Sequence, residues 1–162
     1  MALLSTIPED NQQQIFLYLT ENFCAENPFK PLSAQDILSE LAEARECYEC
    51  GEYEAFEDAI AEIEKNMTYK VVITPPAKKR LDMYIGYTIN VLKNRQAAKS
   101  IEKDAKNTVK RLALVADSLP LCKEKSLAKH GYRKIQFEKH RFFMIYRIDG
   151  NVVVIDGMYH EL

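Results

Sequence analysis

Apolar and polar positions alternate along the chain with two different periods. Over residues 132–138, 141–148 and 152–159 the period is two. The apolar side chains there are Ile, Val, Phe, Tyr and Met, which suit a pleated, half-buried surface, so three consecutive β-strands are expected. Asp149-Gly150-Asn151 supplies hairpin chemistry between the last two, and Lys139-His140 a tight turn between the first two. Three short strands cannot bury their own apolar face, so upstream segments must cover them.

Upstream the period is helical. Ile15, Phe16, Leu19 and Phe23 form one stripe over residues 9–23. Ser33 with Asp36 three positions later marks a helix start, followed by Ile37, Leu38, Leu41, Ala44, Arg45 and Tyr48 at helical spacing and ended by Gly51. Tyr53, Phe56, Ile60 and Ile63 predict a third short helix over residues 52–65. Residues 68–75 read as a strand. Thr74-Pro75-Pro76 then opens a helix, because proline is tolerated in a first turn. Helices over 77–93 and 96–118 form an antiparallel hairpin, and residues 121–131 a basic loop. From Met67 the order is β-α-α-β-β-β: an α+β domain with a helical hairpin packed on an antiparallel sheet, preceded by a helical N-terminal segment. The domains expected are 1–66 and 67–162.

Charge sharpens that division. Residues 1–66 hold 15 acidic and 3 basic side chains, and residues 67–162 hold 9 and 19, so a net −12 precedes a net +10. Such asymmetry suits a polyanion-binding module beside a segment that masks it. No apolar run reaches membrane-spanning length and the first ten residues lack a signal-peptide pattern, so a cytoplasmic location without membrane contact is expected.

The terminal strands interleave cations with rings, the chemistry that meets phosphates and stacks on bases of single-stranded nucleic acid. The candidate RNA-binding side chains are Lys125, Lys129, Arg133, Lys134, His140 and Arg147. His160 beside Tyr159 offers acid–base chemistry near neutral pH, with Arg141 on the neighbouring strand. Cys47 and Cys50 form a lone CxxC, which reads as two thiols at a helix end, since nothing completes a four-ligand zinc set. There is no phosphate-cradling glycine loop, Ser-His-Asp pattern or HExxH, so neither metal nor cofactor is expected.

From Met67 onward, YKVVITPPAKKRL, the basic loop before GYRKIQF, and HRFFMIYRIDGNVVVIDGMYHEL together resemble the RelE/ParE superfamily of bacterial type II toxins. Many such toxins are ribosome-dependent, metal-independent mRNA endonucleases, and a second branch inhibits DNA gyrase. The resemblance implies a toxin with His160, Tyr159 and Arg141 as its catalytic set and ribosome and mRNA as partners. The alternatives are a gyrase inhibitor or a non-catalytic interaction protein. Many nuclease members carry Arg three residues before the middle-strand Tyr; here that position is Phe143. Residues 1–66 resemble the toxin-binding part of an antitoxin, so the chain reads as two reading frames joined at Asn66-Met67. The expected contacts are Ile37, Leu41, Tyr48, Tyr53, Phe56, Ile60 and Ile63. With little linker between Lys65 and Tyr69, wrapping within one chain is expected to be awkward, and exchange of the segment in a homodimer is the alternative.

Overall fold

The computed structural model describes residues 27–55 and 69–161. Its elements are α1 (Ala34–Glu49), β1 (Glu54–Ala55), β2 (Lys70–Ile73), α2 (Pro75–Asn90), α3 (Arg95–Val115), α4 (Lys125–Lys129), β3 (Arg133–Gln136), β4 (Phe142–Asp149) and β5 (Val152–His160). The α+β class and the β-α-α-β-β-β order from β2 onward match the pattern in the sequence, with α4 set in the basic loop.

Local chemistry explains the helix starts. The Ser33 hydroxyl accepts from the Asp36 amide at 3.1 Å, and the Asp36 carboxylate accepts from the Ser33 amide at 3.0 Å, closing a capping box on α1. Pro75 opens α2, and Asn94 caps α3 by accepting from the Ala97 amide at 2.9 Å. The β4–β5 hairpin turns at Gly150, whose φ of +58° suits a residue without a Cβ.

The strands form one sheet in the order β1-β2-β5-β4-β3. The antiparallel expectation needs correction, because β2 pairs parallel with β5 and the sheet is mixed. The route from β2 to β5 passes through both hairpin helices and two further strands, and a crossover of that length permits a parallel pair. The predicted helix over 52–65 is also corrected at its start. Glu54 and Ala55 pair antiparallel with Ile73 and Val72 as an edge strand. The rest of that prediction, with Phe56, Ile60 and Ile63, lies outside the described residues, as does the predicted helix over 9–23.

The sheet is covered on both faces. Helices α2 and α3 pack Leu81, Tyr84, Ile101, Val109 and Leu112 against Val71, Met144, Tyr146, Val153, Ile155 and Met158. On the opposite face α1 seats Leu41 in a second cluster with Tyr132, Ile145 and Tyr159, and Ile37 and Phe143 pack at its border. The expected awkwardness of in-chain wrapping does not arise: α1 packs on the sheet of its own chain.

A register shift in β5 decides which side chains meet. Ile145 pairs with Gly157 and Tyr146 with Ile155, leaving Asp156 as the extra residue of a β-bulge. Simple alternation puts Met158 and His160 opposite Ile155. The bulge reverses this, and Val153, Ile155 and Met158 all join the hairpin-side core.

Candidate functional site

The sequence draws Arg133, Arg141, Arg147, Tyr159 and His160 together as the functional side of the terminal strands. The structure divides that set. Arg133 pairs across β3–β4 with Tyr146, on the hairpin side, and donates to the carbonyl of Leu119. Arg147 lies on the α1 side, its Nε donating to Asp156 Oδ2 at 2.7 Å. Tyr159 lies beneath α1 with 2% of its surface exposed, whereas His160 packs its ring on Phe142 and Phe29 at 5.0 and 5.1 Å. The physical reason is the Asp156 bulge together with the opposite pleat of successive residues. Arg141 is exposed one residue before β4, and its carbonyl accepts from the Glu161 amide at 2.6 Å.

The remaining predicted cations are spread around the molecule. Lys134 pairs with Glu161 at 2.8 Å and lies 4.1 Å over the Phe143 ring. Lys125 and Lys129 are exposed on α4. His140 belongs to the β3–β4 turn. Its Nδ1 lies 2.8 Å from Asp104 Oδ2, and the same buried carboxylate accepts the amides of Glu138, Lys139 and His140. Burial pushes the Asp104 carboxyl upward, but the His140 ring and these three amides outweigh it and leave the pKa lowered. His140 is therefore a turn fastener.

The titration chemistry of Tyr159 and His160 follows their burial. Desolvation raises the Tyr159 phenol well above its ordinary range, and its buried hydroxyl has no hydrogen-bond partner among the described residues. Desolvation and then the Arg141 charge lower His160, so its imidazole is neutral at pH 7. Tyr159 and His160 do border one cavity of about 310 Å³ with Lys134, Phe143 and the Pro28–Leu32 segment. A neutral imidazole there can accept a proton, but the phenol cannot supply a phenolate near neutrality.

The best-built surface is the one α1 covers. Leu41 and Ala44 are buried at its centre, and sealing a leucine contributes roughly 1.5–3 kcal/mol. Polar contacts frame it. Glu40 pairs with Arg80, the Arg45 guanidinium lies 5.5 Å over the Tyr132 ring, and the Tyr132 hydroxyl donates to the Leu41 carbonyl at 3.4 Å. Tyr48 stacks on Arg147 at 4.8 Å and donates to Asp149 at 3.1 Å. Of the expected contact residues, Leu41 is central, Ile37 and Tyr48 are half-buried at either end, and Tyr53 is 41% exposed against Tyr48.

Asp156, Gly157, Asp104 and Arg80 carry this geometry and were not among the predicted site residues. Two had a visible signal. Asp156 interrupts the apolar run VVVIDG, and Asp104 falls on the buried stripe of α3 between Ile101 and Thr108. A carboxylate in an apolar register marks a buried, partnered acid. Among the described residues no cluster of three or more His, Cys, Asp or Glu has the geometry of a metal site, and no helix is long and apolar enough to cross a membrane.

A family model described as ParE toxin of type II toxin-antitoxin system, parDE, matches residues 71–160. Among solved structures the chain is similar to one titled "Chromosomal ParDE TA system from P. aeruginosa", at 21% identity and a TM-score of 0.50, over 59% of this chain and 98% of that one. At that identity the likeness is one of fold. No curated protein matches the chain. Helix α1 and strand β1 precede the matched range.

Proposed function

We propose, from the premise that this chain belongs to the ParE toxin family of type II toxin-antitoxin systems, that its residues 67–162 form the toxin and its residues 1–66 the antitoxin segment that silences it. The observation that carries this reading is the seat of α1. It buries Leu41 and Ala44 on the sheet face opposite the hairpin and pairs Glu40 with Arg80. The acidic half thus meets the basic half through an apolar core with a charged rim, the usual anatomy of a specific interface. The same contacts made between two chains give the exchanged homodimer.

For the toxin's action we favour binding without RNA cleavage, with DNA gyrase as the target and the cytoplasm as the place. Phe143 stands where many ribonuclease relatives carry Arg. Arg147 is already paired with a buried carboxylate, and Arg133 faces the other side of the sheet. A second reading, mRNA cleavage on the ribosome, draws on the cavity that Tyr159 and His160 border together with Lys134.

Expression of residues 67–162 alone in bacteria tests both. Growth arrest with DNA breaks and intact mRNA, relieved by residues 1–66 supplied in trans, supports the leading reading. Arrest with mRNA cut in translated codons selects the second, and healthy growth contradicts both.

A further inference from the structure

Helix α3 turns a row of cations away from the core. Its buried stripe includes Ile101, Ala105, Val109 and Leu112. Arg95, Lys99, Lys103 and Lys106 fall on the outer side, within an arc of about 80° and along about 16 Å of helix. Arg95, Lys99 and Lys103 are exposed and have no acidic partner among the described residues. Lys106 is paired with Glu102 at 3.2 Å. Asp104, the other carboxylate of this stretch, is buried and engaged by the β3–β4 turn. The row is therefore cationic without a balancing set of acids. We propose that it seats the phosphate backbone of duplex DNA. The inference rests on the reading of DNA gyrase as the target and deepens it: the toxin engages the duplex on which that enzyme works as well as the enzyme.

Helix stability does not account for the row. Arg95 and Lys99, and again Lys99 and Lys103, are like charges four residues apart, and such pairs repel. Arg95 also stands in the first turn, where unpaired amides and the helix dipole already present positive charge. A first turn is stabilised by Asp or Glu, and α3 has neither there. The same arrangement adds the dipole to the side-chain field, so an anion is drawn to this end of the helix.

The chemistry of the row selects the anion. Charges spaced by three or four residues recur every ~5–6 Å along a rigid helix, a straight series that suits a regular backbone. Helix α3 contains no aromatic residue, so the bases of a single strand find no ring to stack on. Long cationic side chains that meet phosphates position a duplex without reading its base edges, so binding is independent of sequence. Helix α3 belongs to the layer on one face of the sheet and α1 covers the other. The seat of α1 therefore leaves the row uncovered.

Fluorescence anisotropy of a short labelled DNA duplex of mixed sequence, titrated with the full chain, tests the proposal. With about three phosphates neutralised, affinity is expected to fall about 40-fold between about 50 and about 200 mM salt. The doubly substituted Lys99→Gln, Lys103→Gln chain is expected to bind at least about tenfold more weakly at the lower salt and to lose only about fourfold over the same range. Both side chains are exposed, so its urea midpoint stays that of the wild type. The same charge change at Lys70 and Lys123, exposed on β2 and ahead of α4, leaves affinity within about twofold. Absence of binding at the lower salt overturns the proposal, as does unchanged binding by the Lys99, Lys103 variant or an equal loss in the Lys70, Lys123 variant. Tighter binding to the single strand or to an RNA duplex of the same sequence assigns the row to another nucleic acid and also overturns it. No gyrase is present in this titration, so its failure leaves the gyrase reading to the growth experiment. Arrest without DNA breaks removes that reading and leaves the measured affinity as it is.

Discussion

Leu41 fits a notch left open by Gly157. A Cβ on residue 157 would lie 3.0 Å from the Leu41 Cδ2 methyl and 2.6 Å from the Tyr159 ring. The glycine is needed for this close approach, since its φ is not in the left-handed region. Tyr159 is buried and has little room to withdraw. Gly157→Ala therefore overpacks the α1 interface and costs about 1–3 kcal/mol. Hydrogen exchange should show α1 amides losing protection before those of β4 and β5, with a lower urea midpoint for the chain.

Asp104 fastens the β3–β4 turn from α3. It is 2% exposed and gathers three backbone amides and the His140 ring. Asp104→Asn replaces one acceptor oxygen by a donor facing donors, and a cost of about 1–3 kcal/mol is expected. Because the folded pKa is lowered, the wild-type carboxylate contributes stability above its ordinary value of 3.8 and loses it as pH falls through the folded value. Urea titrations of both proteins should converge at low pH.

Asp156 gives the opposite slope. Burial pushes its carboxyl from 3.8 to about 6, with Arg147 only partly offsetting the shift. The folded state then binds the proton more tightly than the unfolded one. Its contribution to stability falls as pH rises from about 4 to about 6, by about 3 kcal/mol, and is level above that. The difference in unfolding free energy between wild type and Asp156→Asn should fall across that window. His160, whose lowered pKa makes stability rise with pH below 6.5, is common to both proteins and cancels in the difference.

His160 separates the two modes of action. If the toxin works by binding a target, His160→Ala in residues 67–162 leaves growth arrest within about twofold. A general base in RNA cleavage would lose about 10²–10⁴-fold on the same change. Quantified growth inhibition alongside mRNA integrity distinguishes them.

The α+β order was legible because each segment carries its own period and punctuation. Ser33 and Asp36 announce α1, Pro75 opens α2, and Asp149-Gly150-Asn151 turns the last hairpin. What escaped was set by long-range pairing. Nothing local in Val152–His160 reveals that Asp156 is a bulge, yet that one residue decides which face Met158 and His160 join. The short strand at Glu54 and Ala55 exists only because Val72 and Ile73 offer an edge, and its carboxylate-rich surroundings read as helix in isolation. The cations were readable as a composition but not as a surface. Asp156 claims Arg147, the Leu119 carbonyl claims Arg133, and Glu161 claims Lys134. The burial of Leu41 was legible from the stripe on α1, because a narrow apolar face on an acidic helix points to something it must cover.

The proposal that α1 silences the toxin is tested most directly by growth of bacteria induced to express the full chain carrying Leu41→Glu. This places a carboxylate against Gly157 and Tyr159 and cannot be accommodated with α1 in its seat. The expected result is that the wild-type full chain is tolerated while the Leu41→Glu chain, present at comparable soluble level, arrests growth as residues 67–162 do alone. Equal, unimpaired growth of the Leu41→Glu chain beside a toxic 67–162 fragment would contradict it.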